Sequence, residues 1–231
     1  MKAKLFAAGL LAAAATALPA AQACAQDISF NVGAVSDYVF RGYSQTDEGP
    51  AVFGGADATY GDFYGGVWAS SLDFGDGTDA EVDFYAGWRP TFGAVSLDLG
   101  LIYYAYVGAP SGVDYDVLEF KAAASTAFGP ATVGAGIYYA PDAADATGAD
   151  EALYYEINAA MPITDTVSIS GALGSQSFND DLLGDADYAT WNLGATWMVT
   201  DAIALDLRYH DTDVETPISD ERVALLARYS F

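Results

Sequence analysis

Arg222-Val-Ala-Leu-Leu-Ala-Arg-Tyr-Ser-Phe231 closes the chain, and its alternation decides the fold. Val223, Leu225, Ala227, Tyr229 and Phe231 fall on one face of an extended strand. Arg222, Ala224, Leu226, Arg228 and Ser230 fall on the other. Side chains alternate across a strand with period two, so one face is oily and the other carries the charge. The preceding segments repeat the pattern. Ile203, Leu205, Leu207 and Tyr209 alternate with Ala204, Asp206, Arg208 and His210, and Trp191, Leu193, Ala195, Trp197 and Val199 alternate with Thr190, Asn192, Gly194, Thr196 and Met198.

Moving outward, the spacing predicts twelve such strands, at about 28–40, 51–60, 63–72, 81–89, 94–107, 116–128, 131–140, 152–163, 166–177, 188–199, 202–211 and 222–231. In the third, Val67 and Trp68 compete for one face. Short connections such as Gly61-Asp62, Gly129-Pro130, Thr164-Asp165 and Thr200-Asp201 alternate with longer ones. An even number of strands with tight turns at one end and longer loops at the other predicts an all-β fold, a transmembrane antiparallel up-and-down barrel. The loops are too short for a large folded plug.

Composition agrees. The 231 residues carry 8 Lys+Arg against 32 Asp+Glu, a formal charge of −24, with 24 Gly and 16 Tyr. Such an acidic chain lacks the positive charge that displaces counterions from nucleic acid, so no nucleic-acid partner is expected. Charged residues are 17%, below the roughly 25% of soluble domains. Residues 1–25 have Lys2 and Lys4, an Ala/Leu-rich run and Ala23-Cys24-Ala25, the pattern of a signal peptide. The barrel domain is then 26–231, delivered across the inner membrane to the outer membrane of a Gram-negative bacterium. Cleavage removes the only cysteine, Cys24. Neither a cofactor nor a metal site is expected.

The oily faces read as lipid-facing, with aromatic girdles at Phe30, Tyr60, Trp88, Phe128, Trp197 and Phe231 on the turn side. The loop-side girdle is Tyr38, Phe40, Tyr103, Phe120, Tyr139, Tyr155, Trp191 and Tyr209. In the alternative, a soluble sandwich, these rings would fill a dry core. The expected partners are outer-membrane lipid and lipopolysaccharide, small solutes, and the barrel-assembly machinery through the terminal Phe231.

The polar parity holds every base of residues 26–231: Arg41, Arg89, Lys121, Arg208, Arg222 and Arg228. It also holds Asp37, Asp57, Asp83, Asp98, Glu119, Glu156 and Asp206, and together these are the candidate pore-lining residues. Arg41, Arg208, Arg222 and Arg228 sit on neighbouring strands and are expected to form one basic wall facing carboxylates. The long loops carry the excess acid, and an acidic mouth attracts cations. Asp73, Asp76, Asp79 and Glu81 have oxygen ligands at roughly calcium-loop spacing but do not form an EF-hand. The only histidine, His210, has Ser219 as its one sequence-near nucleophile, and no catalytic residues are assigned.

Asn31-Val-Gly-Ala-Val-Ser-Asp-Tyr-Val-Phe-Arg-Gly-Tyr-Ser-Gln45, continuing to Pro50-Ala-Val-Phe-Gly-Gly55 and Gly65-Gly-Val-Trp-Ala69, resembles the TorF-like family of proteobacterial porin-like proteins, earlier described only as conserved proteins of unknown function. Ser36 to Gly42 is the most specific part. The resemblance implies an outer-membrane barrel and solute passage. It implies no catalytic residues. The resulting expectation is a twelve-stranded channel for passive diffusion of small hydrophilic solutes. The alternative is a non-conducting structural or interaction barrel with acidic loops.

Overall fold

The computed structural model describes residues 26–143, 151–179 and 187–231. The expected leader, residues 1–25, lies outside them, as do Asp145, Asp150, Asp180, Asp181 and Asp185 of the long loops.

Twelve long strands form one antiparallel ring. They are β1 Gln26–Val35, β2 Ala51–Tyr60, β3 Phe63–Ser71, β4 Ala80–Trp88, β5 Val95–Val107, β6 Val117–Phe128, β7 Ala131–Ala140, β8 Glu151–Pro162, β9 Val167–Asn179, β10 Tyr188–Met198, β11 Ile203–Thr212 and β12 Arg222–Ser230. Each pairs with the next, and β12 returns to β1 with Val32 opposite Tyr229 and Ala34 opposite Ala227. A two-residue strand, Thr91–Phe92, folds back on Val95 and Ser96 inside the β4–β5 turn. Closure leaves no edge, which a sheet in hydrocarbon requires, because an unpaired backbone group there has no water to bond.

The alternation is inside out. Leu193 is 64% exposed, and Leu173, Ile157, Leu207 and Val223 on other strands are exposed as well. Their sequence neighbours point inward, where Asp83, Glu81, Tyr104 and Gln176 are fully buried. Oily side chains outside and carboxylates inside are the reverse of a water-soluble sandwich. The turn-side girdle is exposed at Phe30, Tyr60, Trp88, Phe128, Trp197 and Phe231. On the loop side Tyr103, Phe120, Tyr155 and Tyr209 are exposed, with Tyr139 and Trp191 half-buried. Phe30 and Phe231 stack with ring centroids 5.6 Å apart where β1 and β12 close the ring.

Two expectations are corrected and one open choice is settled. β1 stops at Val35, not near 40, and the chain then turns into the barrel. Tyr38 and Phe40 are therefore buried inside rather than set in the outer girdle. Trp68 wins the inward face of β3, stacking on Phe53 at 6.0 Å and meeting Tyr38 edge-on at 5.4 Å.

The interior wall explains the glycine and tyrosine content. Tyr64 of β3 lies flat across β4 and reaches Asp98 of β5 at 2.7 Å. A Cβ on Gly87 or Gly100 would overlap its phenol. Tyr85 of β4 crosses over Gly66 of β3 to bond Asp57 of β2. Arg208 of β11 crosses Gly194 of β10 to Ser170 of β9, 2.8 Å away. Each long side chain spans two inter-strand gaps, roughly 10 Å, over a residue without a side chain. The braces lie along the wall.

Leu193→Arg, at mid-strand on the oily face, is expected to cost about 2–4 kcal/mol in urea unfolding from lipid vesicles. Asn192→Ser, its inward neighbour, is expected to cost far less. Equal costs would contradict the inside-out assignment.

Candidate functional site: a hairpin seated in the lumen

Residues 36–48 fold into the loop end of the barrel. Val39–Phe40 pairs with Tyr43–Ser44, and the connecting Arg41 and Gly42 both have positive φ, 43° and 89°. Two central residues with positive φ make the mirror-image turn that suits a two-residue hairpin, and glycine takes that conformation freely. Gly42 also has no room for a side chain, since its Cβ would overlap Thr212 and press on Thr190 of the wall.

The base of the hairpin is knotted around Asp37. Its carboxylate accepts from Ser44 Oγ at 2.6 Å and Thr46 Oγ1 at 3.1 Å. Arg222 of β12 lies 3.0 Å away. The Tyr38 amide donates to Thr46 Oγ1, and Ser44 and Asp73 tie the segment to neighbouring loops through Ile218 and Gln45.

The tip crosses the bore. Arg41 Nη2 sits 2.8 Å from Glu119 Oε2 of β6, with side-chain exposures of 9% and 5%. Its other arm donates to Gln176 Oε1 of β9 at 3.3 Å. The guanidinium lies 4.2 Å over the ring of Tyr154 on β8 and 5.1 Å from that of Tyr138 on β7. Burial alone would lower the Arg41 pKa, but the Glu119 carboxylate outweighs it and raises it above its ordinary value. The cation is thus held by charge, by hydrogen bonds and by two aromatic faces. Tyr43 meets Tyr188 of β10 edge-on at 5.0 Å. Burial first, and Asp213 second, push the Tyr43 phenol up to about 12, so it stays neutral. Tyr38 donates to Glu81 of β4 at 3.0 Å. One hairpin therefore touches β3, β4 and β6 to β12, and its seat is buried.

Asp83 lies under the seat, fully buried, with the carboxyl of Glu81 beside its own. Two neighbouring buried carboxyls of like charge oppose folding.

Toward the turn side the interior is wetter. Asp98 is shared by Lys121 at 2.8 Å and Arg89 at 3.2 Å. The Arg89 guanidinium lies 4.4 Å over Tyr64 and its side chain is 50% exposed. Glu156 accepts from Asn158 at 2.8 Å. Arg208 pairs with Asp206 at 3.1 Å and also donates to Asn192. Arg228 pairs with no acid among the described residues, and its Nε is buried without a partner.

The candidate residues thus form two tiers. Asp37, Arg41, Asp83, Glu119 and Arg222 belong to the hairpin and its seat; Asp57, Arg89, Asp98, Lys121, Glu156, Asp206, Arg208 and Arg228 line the wetter part. The single basic wall is not formed, because Arg41 is carried on the hairpin to β6, Arg222 is spent on Asp37 and Arg208 on Asp206. Ser219 Oγ donates to the Val214 carbonyl at 2.8 Å and is joined by no hydrogen bond to His210 among the described residues. In the 73–81 loop, Asp73 and Asp76 accept backbone amides of Gly75 and Thr78, and Asp76 also accepts from Tyr115. Gly42, Gln176, Tyr138 and Tyr154 complete the seat and are absent from the sequence-based set. The Arg41-Gly42 pair between Phe40 and Tyr43 is the one local signal for the turn.

The chain belongs to the Gcw_chp family, bacterial proteins of unknown function, whose family model matches residues 19–229. No curated protein matches it in sequence. Its fold is similar to that of the KdgM porin, at 8% identity and a TM-score of 0.60 over 88% of this chain and 99% of that one. The NanC porin is similar at 10% identity and 0.58, over 89% and 99%. The COG4313 outer membrane channel from Pseudomonas putida F1 is similar at 13% identity and 0.58, over 91% and 96%. These likenesses establish a shared barrel architecture.

Glu119→Ala leaves the Arg41 cation buried and is expected to cost about 3–5 kcal/mol in urea unfolding. Asp83→Asn is expected to be neutral or stabilising in the same assay. Because residues 26–231 contain no cysteine, Gln45→Cys supplies a clean probe, buried at 2% exposure. It is expected to resist a water-soluble maleimide in the otherwise unchanged protein and to react at least tenfold faster when Gly42→Val is added.

Proposed function

We propose that the protein is an outer-membrane channel for small hydrophilic solutes whose outer end is closed at rest by the 36–48 hairpin, and that passage requires the hairpin to leave its seat. The carrying observation is the pairing of an oily outer wall and a charged inner wall with one short segment that crosses the bore. The likeness to porins supports the channel reading. Twelve strands leave an interior wider than the side-chain-filled eight-stranded case and narrower than a general porin. The acidic loops, with Asp47 and Glu48 in the hairpin segment and Asp211, Asp213, Glu215, Asp220 and Glu221 from the end of β11 to the start of β12, raise the local cation concentration and give a modest cation preference.

Delivery follows the same reading. The leader is removed, and the terminal Phe231, exposed and stacked on Tyr229 and Phe30, serves as the aromatic end read by the assembly machinery. The oily band meets outer-membrane lipid, and the loops face lipopolysaccharide.

A second reading, a closed structural barrel, is favoured by the burial of the seat, where Arg41, Glu119, Asp37 and Arg222 are all nine-tenths buried or more. Planar-bilayer recordings separate the two. Unchanged protein is expected to give small, infrequent openings. Replacing residues 37–47 by a short Gly/Ser link is expected to give steady conductance several-fold larger, with a reversal potential shifted toward the cation in a salt gradient. Silence from both proteins would leave the closed barrel.

A further inference from the structure

We propose that the wetter tier of the interior, between the hairpin and the turn-side rim, binds neutral polyhydroxylated solutes, that is, sugars or short oligosaccharides. This names the solute class of the proposed channel; it rests on that reading for passage but not for binding.

Charge is the first argument. Carboxylates on this part of the wall are matched locally: Asp98 with Lys121 and Arg89, and Asp206 with Arg208. The rest are held by neutral donors, Asp57 by the Tyr85 phenol and Glu156 by the Asn158 amide. Four acids stand against four bases, Arg228 being the base that pairs with no acid among the described residues, so neither sign dominates and an ion entering here meets both signs at close quarters while it is desolvated. A neutral solute escapes that penalty.

Shape is the second. Tyr64 and Tyr85 are laid against the wall over glycines, each phenol pinned by a carboxylate two strands away. A pinned ring loses little further freedom when a ligand covers it, which keeps the entropic cost of binding low. Arg89 extends the Tyr64 surface as a second planar layer. Flat rings and a guanidinium plane suit the C–H face of a pyranose.

Hydrogen-bond capacity is the third. A sugar hydroxyl donates and accepts at once, as does the surface it would meet. Asn158 is exposed with its amide already oriented by Glu156. Arg89 is half-exposed, and Lys121, Asp98, Arg208 and Asp206 keep 16–19% of their side chains open to solvent. These groups are positioned by one another before any ligand arrives, the arrangement a specific polar site requires. An apolar solute would leave those edges unpaired.

The test is saturation-transfer NMR on refolded full-length barrel, residues 26–231, in detergent. The probes are maltose, the corresponding uronic-acid disaccharide and free lysine at equal concentration. Maltose is expected to receive saturation from the tyrosine rings and to bind at least tenfold better than either charged probe. Tyr85→Leu and Asn158→Ala are each expected to weaken maltose about tenfold. Retained heat-modifiable migration on SDS gels would show that both variants still form the barrel. Tighter binding of the uronate or of lysine, no maltose binding, or maltose binding indifferent to both substitutions would overturn the assignment. Maltose binding without conductance in the hairpin-deleted protein would remove the channel reading and keep the sugar site. Conductance without maltose binding would do the reverse.

Discussion

A backbone amide in hydrocarbon has no water to bond, and most of this molecule follows from that restriction. It forces the sheet to close, with β12 paired to β1 and β4 to β5, so that every strand is flanked on both sides. Closure creates two unlike surfaces on a chain that alternates with period two. Leucine, isoleucine and aromatic side chains go outward, and the scarce arginines and their acids go in. An interior built this way cannot be filled with oil, so it is organised by hydrogen bonds and ion pairs, each oriented by its neighbours.

Within that interior, Arg41 fixes where the hairpin crosses the barrel. It is a buried cation delivered by a loop and met by a carboxylate from the far side of the barrel, an amide and two tyrosine faces. Such an interaction is costly to break one partner at a time yet adds little net stability, because desolvation offsets much of the attraction. It confers position rather than strength. The hairpin has its own turn at Arg41-Gly42 and its own knot at Asp37.

The barrel was largely legible in the sequence, whereas the hairpin was not. Eleven strands lie within a few residues of their expected limits because lipid exposure imposes alternation directly on residue type. The first strand fails for an instructive reason: Tyr38 and Phe40 continue the oily parity past Val35, so periodicity alone carries β1 outward into the girdle. What ends the strand is backbone and capping chemistry, namely Asp37 with Ser44 and Thr46 and the turn at Arg41-Gly42. Period two is blind to these. The basic wall failed similarly, since parity predicts that Arg41 faces inward but not that a loop carries it across to β6. The braces of Tyr64, Tyr85 and Arg208 depend on which residue stands beside which across two strands, information that register alone supplies.

Those braces have a consequence for how the cylinder closes. A ring of strands can be joined with different staggers, and neighbouring staggers differ by a slide of one strand along the next. Here a slide would carry a phenol off its glycine and onto a residue with a side chain, and would part it from its acid. The tyrosines and arginine therefore work like keys in keyways. They set the tilt and the diameter of the finished tube, so the glycines beneath them are dimensional controls on the bore rather than points of looseness in the wall.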